Sequence, residues 1–224
     1  MFKRRFHFLF VALLFLYLLH PLSSSEWLGM GLLDVSFTLV LLTALFAVSR
    51  KKHITITAIL LGGCGQVLTL TPYFFYSKPV VLTALGIDIL FLVYTASVIL
   101  FHIVRDRMVT ADTIFGSLSV YLLIGFIWAL IFSFIEVAQN GSFIFSPNLV
   151  HQLAGQKGKH IFAELYYLIY YSFTTLTTLG YGDIVPGSAW ARVFSALEAI
   201  TGQLYLVVLV SRLVGMHSNQ RNNA

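Results

Sequence analysis

Long apolar runs, separated by short polar or basic clusters, fill most of the sequence. Each run is close to the roughly 20 residues that an α-helix needs to cross the hydrocarbon core of a bilayer. The pattern therefore predicts an all-α membrane protein with six transmembrane helices, over Phe6 to Leu22, Trp27 to Val48, Ile54 to Thr71, Val80 to Val104, Ile114 to Val137 and Trp190 to Val214.

The first run also fits a secretory signal, because Lys3, Arg4 and Arg5 precede it and a serine cluster follows it. A retained helix is the favoured interpretation, since the run exceeds the roughly 7–15 apolar residues of a signal and no Ala-x-Ala site follows. Both interpretations place the start of the second run on the outer side of the membrane.

Charged residues are scarce and follow the membrane topology. Hydrophobic residues make up 58% of the chain and charged residues 10%, whereas soluble domains are about 25% charged. The positive-inside rule predicts both termini cytoplasmic, with Lys78, Lys157 and Lys159 outside. The basic residues predicted inside are Lys3, Arg4, Arg5, Arg50, Lys51, Lys52, Arg105, Arg107, Arg212 and Arg221. We therefore predict a multi-pass protein of the cell (inner or plasma) membrane, and its net charge of +5 does not indicate a nucleic-acid partner.

Ionisable residues inside the predicted helices are few. Between Val80 and Val104 they are Asp88 and His102, whereas a voltage sensor needs several arginines or lysines along one spanning helix. Steep voltage gating is therefore not expected. Asp34 and Asp88 are either functional carboxyl groups that face protein or water, or hydrogen-bonded packing residues, and the sequence leaves both interpretations open.

A less hydrophobic stretch stands between the last two runs. Residues 139–163 predict an outer loop, and Glu136 just before it either attracts cations or is a solvated helix end. Phe162 to Leu176 suits a helix that is too short to span the bilayer. A glycine turn follows, so the order predicts a re-entrant pore helix and loop over residues 162–183.

Gly180 and Gly182 define what the loop can do. Glycine adopts positive φ without strain, so glycines at alternate positions allow successive carbonyls to turn toward one axis. A ring of such carbonyls replaces the water shell of a cation. Irregular backbone at membrane depth occurs only where protein buries it or where it lines a water-filled path. The loop therefore indicates a path for cations.

Residues 178–183, Thr-Leu-Gly-Tyr-Gly-Asp, resemble the Thr-Val-Gly-Tyr-Gly-Asp signature of the tetrameric six-helix potassium channels of the prokaryotic kind. The resemblance implies that K+, the permeant ion, is coordinated by the backbone carbonyls of Thr178, Leu179, Gly180 and Tyr181, and that no cofactor is required. Leu179 stands where valine is usual, which adds bulk behind the filter but keeps the carbonyl. The implied filter frame and mouth comprise Thr177, Gly182, Asp183, Tyr170 and Tyr171, the tyrosines standing where many relatives have paired tryptophans.

Two residues of the last run are further candidates. Glu198 lies in an otherwise apolar helix at the depth of the pore-helix threonines, and a bonding partner behind the filter is the favoured interpretation. Gly202 matches the hinge glycine in the inner helices of many relatives. Close helix packing is the alternative for Gly202, and the sequence does not separate the two.

The layout divides the chain into a four-helix peripheral unit at 1–109, voltage-sensor-like but without gating charges, and a pore domain at 110–224. One pore segment per chain implies a homotetramer in the lipid bilayer. The predicted function is passive, K+-selective conduction; the alternative is a regulatory or non-conducting channel-like subunit that assembles with other channel subunits. No residue pattern indicates an enzyme, a metal-ligand cluster or a small-molecule substrate.

Overall fold

The computed structural model describes residues 5–19, 38–40, 42–44, 52–71, 77–105, 110–147, 149 and 160–222. Its main elements are α1 (Arg5–Leu19), α2 (Lys52–Leu70), α3 (Lys78–Arg105), α4 (Ala111–Ala138), β1 (Phe143–Phe145), α5 (His160–Leu176), β2 (Ile184–Pro186) and α6 (Ala189–Asn222). The fold is therefore mostly helical, as the apolar runs predict.

Three of the described helices are long and apolar enough to cross a membrane, over Lys78–Arg105, Ala111–Ala138 and Ala189–Arg212. They correspond to the last three predicted runs. Shorter apolar helices cover Phe6–Leu18 and Thr55–Thr69. The second run, Trp27 to Val48, falls mostly outside the described residues, as does Asp34, although residues 38–40 and 42–44 are helical. The count of six spans therefore stays a prediction.

Helix α4 is the centre of the described fold, since it packs against α1, α3, α5 and α6. Its fully buried Leu123 belongs to the same hydrophobic core cluster as Phe91 and Ile99 of α3. Lipid chains are as apolar as these side chains, so close packing rather than transfer from water holds such helices together. At its amino end α4 is capped by Thr110, whose hydroxyl accepts the Thr113 N–H at 3.2 Å.

Glycines allow two of these helix pairs to approach closely. A Cβ added at Gly125 of α4 would lie 2.7 Å from Cζ of Phe173 in α5. A Cβ added at Gly65 of α2 would overlap the carboxyl group of Asp88, which is buried on α3. Small residues at helix contacts in membranes have this effect, so α4–α5 and α2–α3 are tightly apposed.

A two-stranded antiparallel sheet follows α4 and brackets α5. Phe143 of β1 pairs with Pro186 of β2, and Phe145 pairs with Ile184. Glu136 supports the turn before β1, because its carboxyl oxygens accept the backbone N–H groups of Gly141 at 2.6 Å and Phe143 at 2.9 Å. Glu136 is buried. Its interpretation as a solvated helix end is therefore wrong, because the unpaired N–H groups of the turn draw the carboxyl group inward.

Candidate functional site

The last hydrogen bonds of helix α5 fix where the following loop begins. The Thr177 N–H donates to the Phe173 carbonyl at 3.1 Å, and the Thr178 N–H donates to the Thr175 carbonyl at 2.9 Å. The second bond is of the tighter i to i−3 kind that often ends a helix. The loop, residues 177–183, thus starts directly from the carboxyl end of α5.

The carbonyl of Thr174 fixes the first half of the loop. It accepts the N–H of Leu179 at 2.8 Å and the N–H of Gly180 at 3.1 Å. In a planar trans peptide, the C=O of one residue and the N–H of the next point in opposite directions. Because these two N–H groups point back at α5, the carbonyls of Thr178 and Leu179 point away from it.

Backbone φ is positive at every second residue of the loop. The values are 60° at Thr178, 56° at Gly180 and 79° at Gly182. The sequence predicts this property for the two glycines but not for Thr178. A threonine at positive φ is strained by roughly 1–2 kcal/mol, and such strain clusters at functional segments. The sequence did hold one signal for Thr178: it lies two residues before Gly180, so it continues the alternation of positive φ.

Asp183 anchors the outer end of the loop to the rest of the subunit. Its carboxylate Oδ2 accepts the Tyr170 hydroxyl at 2.8 Å, and its backbone carbonyl accepts the Ser146 N–H at 2.8 Å. Partial burial, followed by the hydrogen bond to Asp183, raises the pKa of Tyr170 to about 12. The phenol therefore stays protonated at neutral pH and remains the donor in this bond.

The two adjacent tyrosines of α5 have different surroundings. The ring of Tyr170 stacks on that of Tyr181, with centroids 6.3 Å apart and planes 6° from parallel. Tyr171 turns toward the interior, where its hydroxyl lies 2.7 Å from Oγ of Ser195 on α6. Tyr170 thus contacts the loop, and Tyr171 joins α5 to α6.

The loop is exposed on the single chain, unlike the helix that holds it. Leu179 is 56% exposed and Tyr181 is 67% exposed, and residues 177, 178, 180 and 182 are exposed as well. Apolar side chains of α6 are also exposed, among them Val193, Leu197, Ile200, Leu204 and Val207. One subunit therefore leaves both the loop and an apolar helix face uncovered.

Behind the loop, one face of α6 lies against α5. Glu198 is fully buried, and its Oε1 lies 2.5 Å from Oγ of Ser172. A Cβ added at Gly202 would overlap the carbonyl oxygen of Leu176. Close packing is thus a sufficient reason for glycine at 202, and its role as a hinge stays a prediction. The sequence places Glu198 beside threonines of α5, but its partner is Ser172.

Within the described ranges, no cluster of three or more His, Cys, Asp or Glu side chains is arranged to hold a metal ion. The loop carries backbone carbonyl oxygens instead, and those of Thr178 and Leu179 point away from α5. Oxygen ligands of this kind suit hard cations.

Comparison with known proteins bears on this geometry. Residues 88–218, more than half of the 224-residue chain, match the ion channel family. The chain belongs to the ion channel family. The matched part of the channel takes in most of α3, all of α4 and α5, both strands and most of α6. Channels conduct ions rather than catalyse reactions, in agreement with the prediction that the chain is not an enzyme.

One curated relative of the channel is two-pore potassium channel 4 of Arabidopsis thaliana, which is 34% identical over 55 residues. These residues are 25% of this chain and 19% of the relative, so the two share only about a fifth of the relative's length. No solved structure matches the channel. The family and the apolar helices make the channel a multi-pass membrane protein.

Proposed function

We propose that the chain is one subunit of a K+-selective channel that conducts K+ passively through a homotetrameric pore. The observation that carries the proposal is the backbone of residues 177–183, where φ is positive at every second residue and two successive carbonyls point away from α5. Rings of such carbonyls replace the hydration shell of K+.

In the proposed filter, K+ is coordinated by the carbonyls of Thr178, Leu179, Gly180 and Tyr181, with the Thr178 hydroxyl at the innermost ring. Gly182 and Asp183 turn the chain outward at the mouth. The positive φ of Thr178 and Gly180 supports this assignment. So does the Arabidopsis relative, whose name is that of a potassium channel.

A complete ring needs four copies of the loop, because the chain contains one. A closed fourfold assembly supplies them by symmetry. The exposed loop and the exposed apolar face of α6 support such an assembly, since both lack covering groups in one subunit. The neighbouring subunits would cover part of this surface, and the cavity and lipid the rest.

In the membrane, α4 and α6 cross the bilayer on either side of a re-entrant α5 and its loop. Together with four helices in the peripheral unit at residues 1–109, they give six spans, both termini cytoplasmic and a pore domain at 110–224. The carboxyl end of α5 then faces the central cavity, where the negative end of the helix dipole favours a cation. The proposed location is the cell membrane.

Flux through purified protein in liposomes tests the proposal. We expect K+ efflux down a K+ gradient, little Na+ flux under the matched gradient, and a cross-linked ladder that ends at the tetramer. Empty liposomes are the control. Equal K+ and Na+ flux would overturn selectivity. Absence of flux from a correctly assembled tetramer would favour instead a regulatory subunit that conducts only with other channel chains.

A further inference from the structure

The carboxyl group of Glu198 lies at the junction of three helices. The side chain is fully buried within one subunit, so neither the ion path nor a neighbouring subunit reaches it. Its Oε1 lies 2.5 Å from Oγ of Ser172 on α5, and the same Oγ lies 2.7 Å from the carbonyl oxygen of Gly125 on α4. One serine hydroxyl therefore stands between α6 and α4.

The number of protons available for hydrogen bonds at this junction indicates whether Glu198 is protonated or ionised. A serine hydroxyl has one proton to donate, and the Gly125 carbonyl can only accept. An ionised carboxylate can also only accept, so with Glu198 ionised Ser172 would leave one of its two close contacts without a proton. With Glu198 protonated, each contact has a donor: Glu198 donates to Ser172, and Ser172 donates to Gly125.

The surroundings of Glu198 agree with this count. Among the described residues, no basic side chain is hydrogen-bonded or ion-paired to it, and its Oε2 has no hydrogen-bond partner. Two titratable side chains near enough to feel the charge of an ionised Glu198 are Tyr121 of α4 and Tyr171 of α5, and neither is a cation. A buried anion without a cation or a full set of donors is far more costly than a neutral acid.

We propose that Glu198 is a positioning residue that acts as a neutral carboxylic acid. It donates to Ser172, which donates to the Gly125 carbonyl, and the chain of two bonds ties α6, α5 and α4 together behind the loop. The proposal is more specific than the prediction of a bonding partner behind the filter. It states that the three helices are joined by hydrogen bonds that require the proton of Glu198 and not its charge. Only its effect on selectivity rests on the proposed function.

The junction is close enough to the filter to position it. Ser172 lies two residues before Thr174, whose carbonyl holds the N–H groups of Leu179 and Gly180. On α6, residues 195, 198 and 202 share one face, because they are three and four apart. Ser195 and Gly202 contact α5 on either side of Glu198. A shift of α5 at Ser172 therefore moves the filter backbone.

Infrared spectroscopy of the purified full chain tests the proton without reference to conduction. We expect the difference between wild type and E198Q at neutral pH to contain the C=O band of a protonated carboxylic acid. In S172A this band should shift, because the hydrogen-bond partner is gone. If the difference contains carboxylate bands alone, Glu198 is ionised and the proposal is overturned.

Flux in liposomes tests the positioning role. E198L and S172A each break the chain of bonds, and we expect the K+/Na+ flux ratio to fall by roughly 5- to 30-fold, the effect of one or two hydrogen bonds of ordinary strength. E198Q restores most of the ratio, because its amide donates to Ser172. S133A is the matched control, since among the described residues the buried Ser133 hydroxyl donates only to its own helix, at the Ala129 carbonyl.

Each other outcome decides the matter. If E198Q loses selectivity as E198L does, the charge matters and the proposal fails. If S172A keeps the wild-type ratio, the junction does not position the filter. S172A serves this purpose even if E198L does not assemble, because it removes a single hydroxyl. A wild type without K+ flux would refute the proposed function, while the infrared result would still decide the protonation of Glu198.

Discussion

Replacement of Gly180 by alanine isolates the backbone conformation of the proposed filter. Gly180 has φ of +56°, and among the described residues, its two chain neighbours aside, an added Cβ would meet no atom within 4 Å. The cost of the change is therefore conformational rather than steric, about 1–2 kcal/mol for an L-residue at positive φ. In a tetramer the four copies together oppose the filter conformation by about 4–8 kcal/mol.

Gly86 provides a matched control for Gly180. Apart from the backbone of its own helix, the described part of the chain also has no atom within 4 Å of an added Cβ there. However, Gly86 lies inside α3 and its φ is not positive. Alanine is favoured over glycine in a helix by about 0.8–1 kcal/mol. The same chemical change is therefore expected to destabilise the filter conformation at residue 180. At residue 86 it should leave the stability of the protein unchanged or raise it slightly.

Liposome flux, normalised to the amount of tetramer, compares the two variants. A cost of 1–2 kcal/mol per subunit lowers the population of the conducting backbone about 5- to 30-fold. Because four subunits share one filter in the proposed tetramer, we expect K+ flux to be lost in Gly180→Ala and retained in Gly86→Ala, with membrane insertion and assembly intact in both. Undiminished, K+-selective flux through Gly180→Ala would refute the placement of residues 178–181 along the ion path.

Three further variants probe the supports of the filter. Tyr170→Phe removes the hydroxyl that donates to Asp183, and a hydrogen bond to a charged group is worth about 1.5–3 kcal/mol. We expect a lower K+/Na+ flux ratio from intact tetramers. An unchanged ratio would contradict the role of the Tyr170–Asp183 bond as an anchor of the loop. Glu136→Ala removes the partner of two backbone N–H groups in the turn at β1, at a cost of about 1–3 kcal/mol each. The midpoint temperature of unfolding in detergent should therefore fall. An equal midpoint would show that water replaces the carboxyl group. Gly202→Ala places a Cβ against a carbonyl of α5 and should lower the yield of folded protein. Gly63→Ala is the control, because its Cβ meets no described residue outside its own helix backbone within 4 Å. Equal yields would argue against close packing at 202.

The long helices could be predicted because each has the length and apolarity of a span. Val80 to Val104 and Ile114 to Val137 differ from α3 and α4 by no more than three residues at either end. The end of α6 was less predictable. Its apolar run stops near Val214, but the helix continues to Asn222, since hydrophobicity marks the part in lipid and not the end of the hydrogen-bonded backbone.

Contacts between distant residues were the part that the sequence could not supply. Strands β1 and β2 have three residues each, too few for an alternating pattern to be recognised. The burial of Glu136 depends on unpaired N–H groups in the turn that follows it. The partner of Glu198 is a serine rather than a threonine because of how α5 is rotated about its axis, which a pattern of residue types does not fix.

Hydrogen bonds within one subunit support both ends of the proposed filter, and this bears on what assembly has to achieve. At the inner end the Thr174 carbonyl holds two N–H groups, and at the outer end Tyr170 and Ser146 hold Asp183. Each chain therefore presents one quarter of the proposed ion path with its backbone already arranged. Preorganised groups lose little freedom on binding. In the proposed tetramer, the neighbouring subunits would therefore bring carbonyls that are already arranged around one axis. Damage to an internal support should then impair selectivity before it impairs tetramer formation.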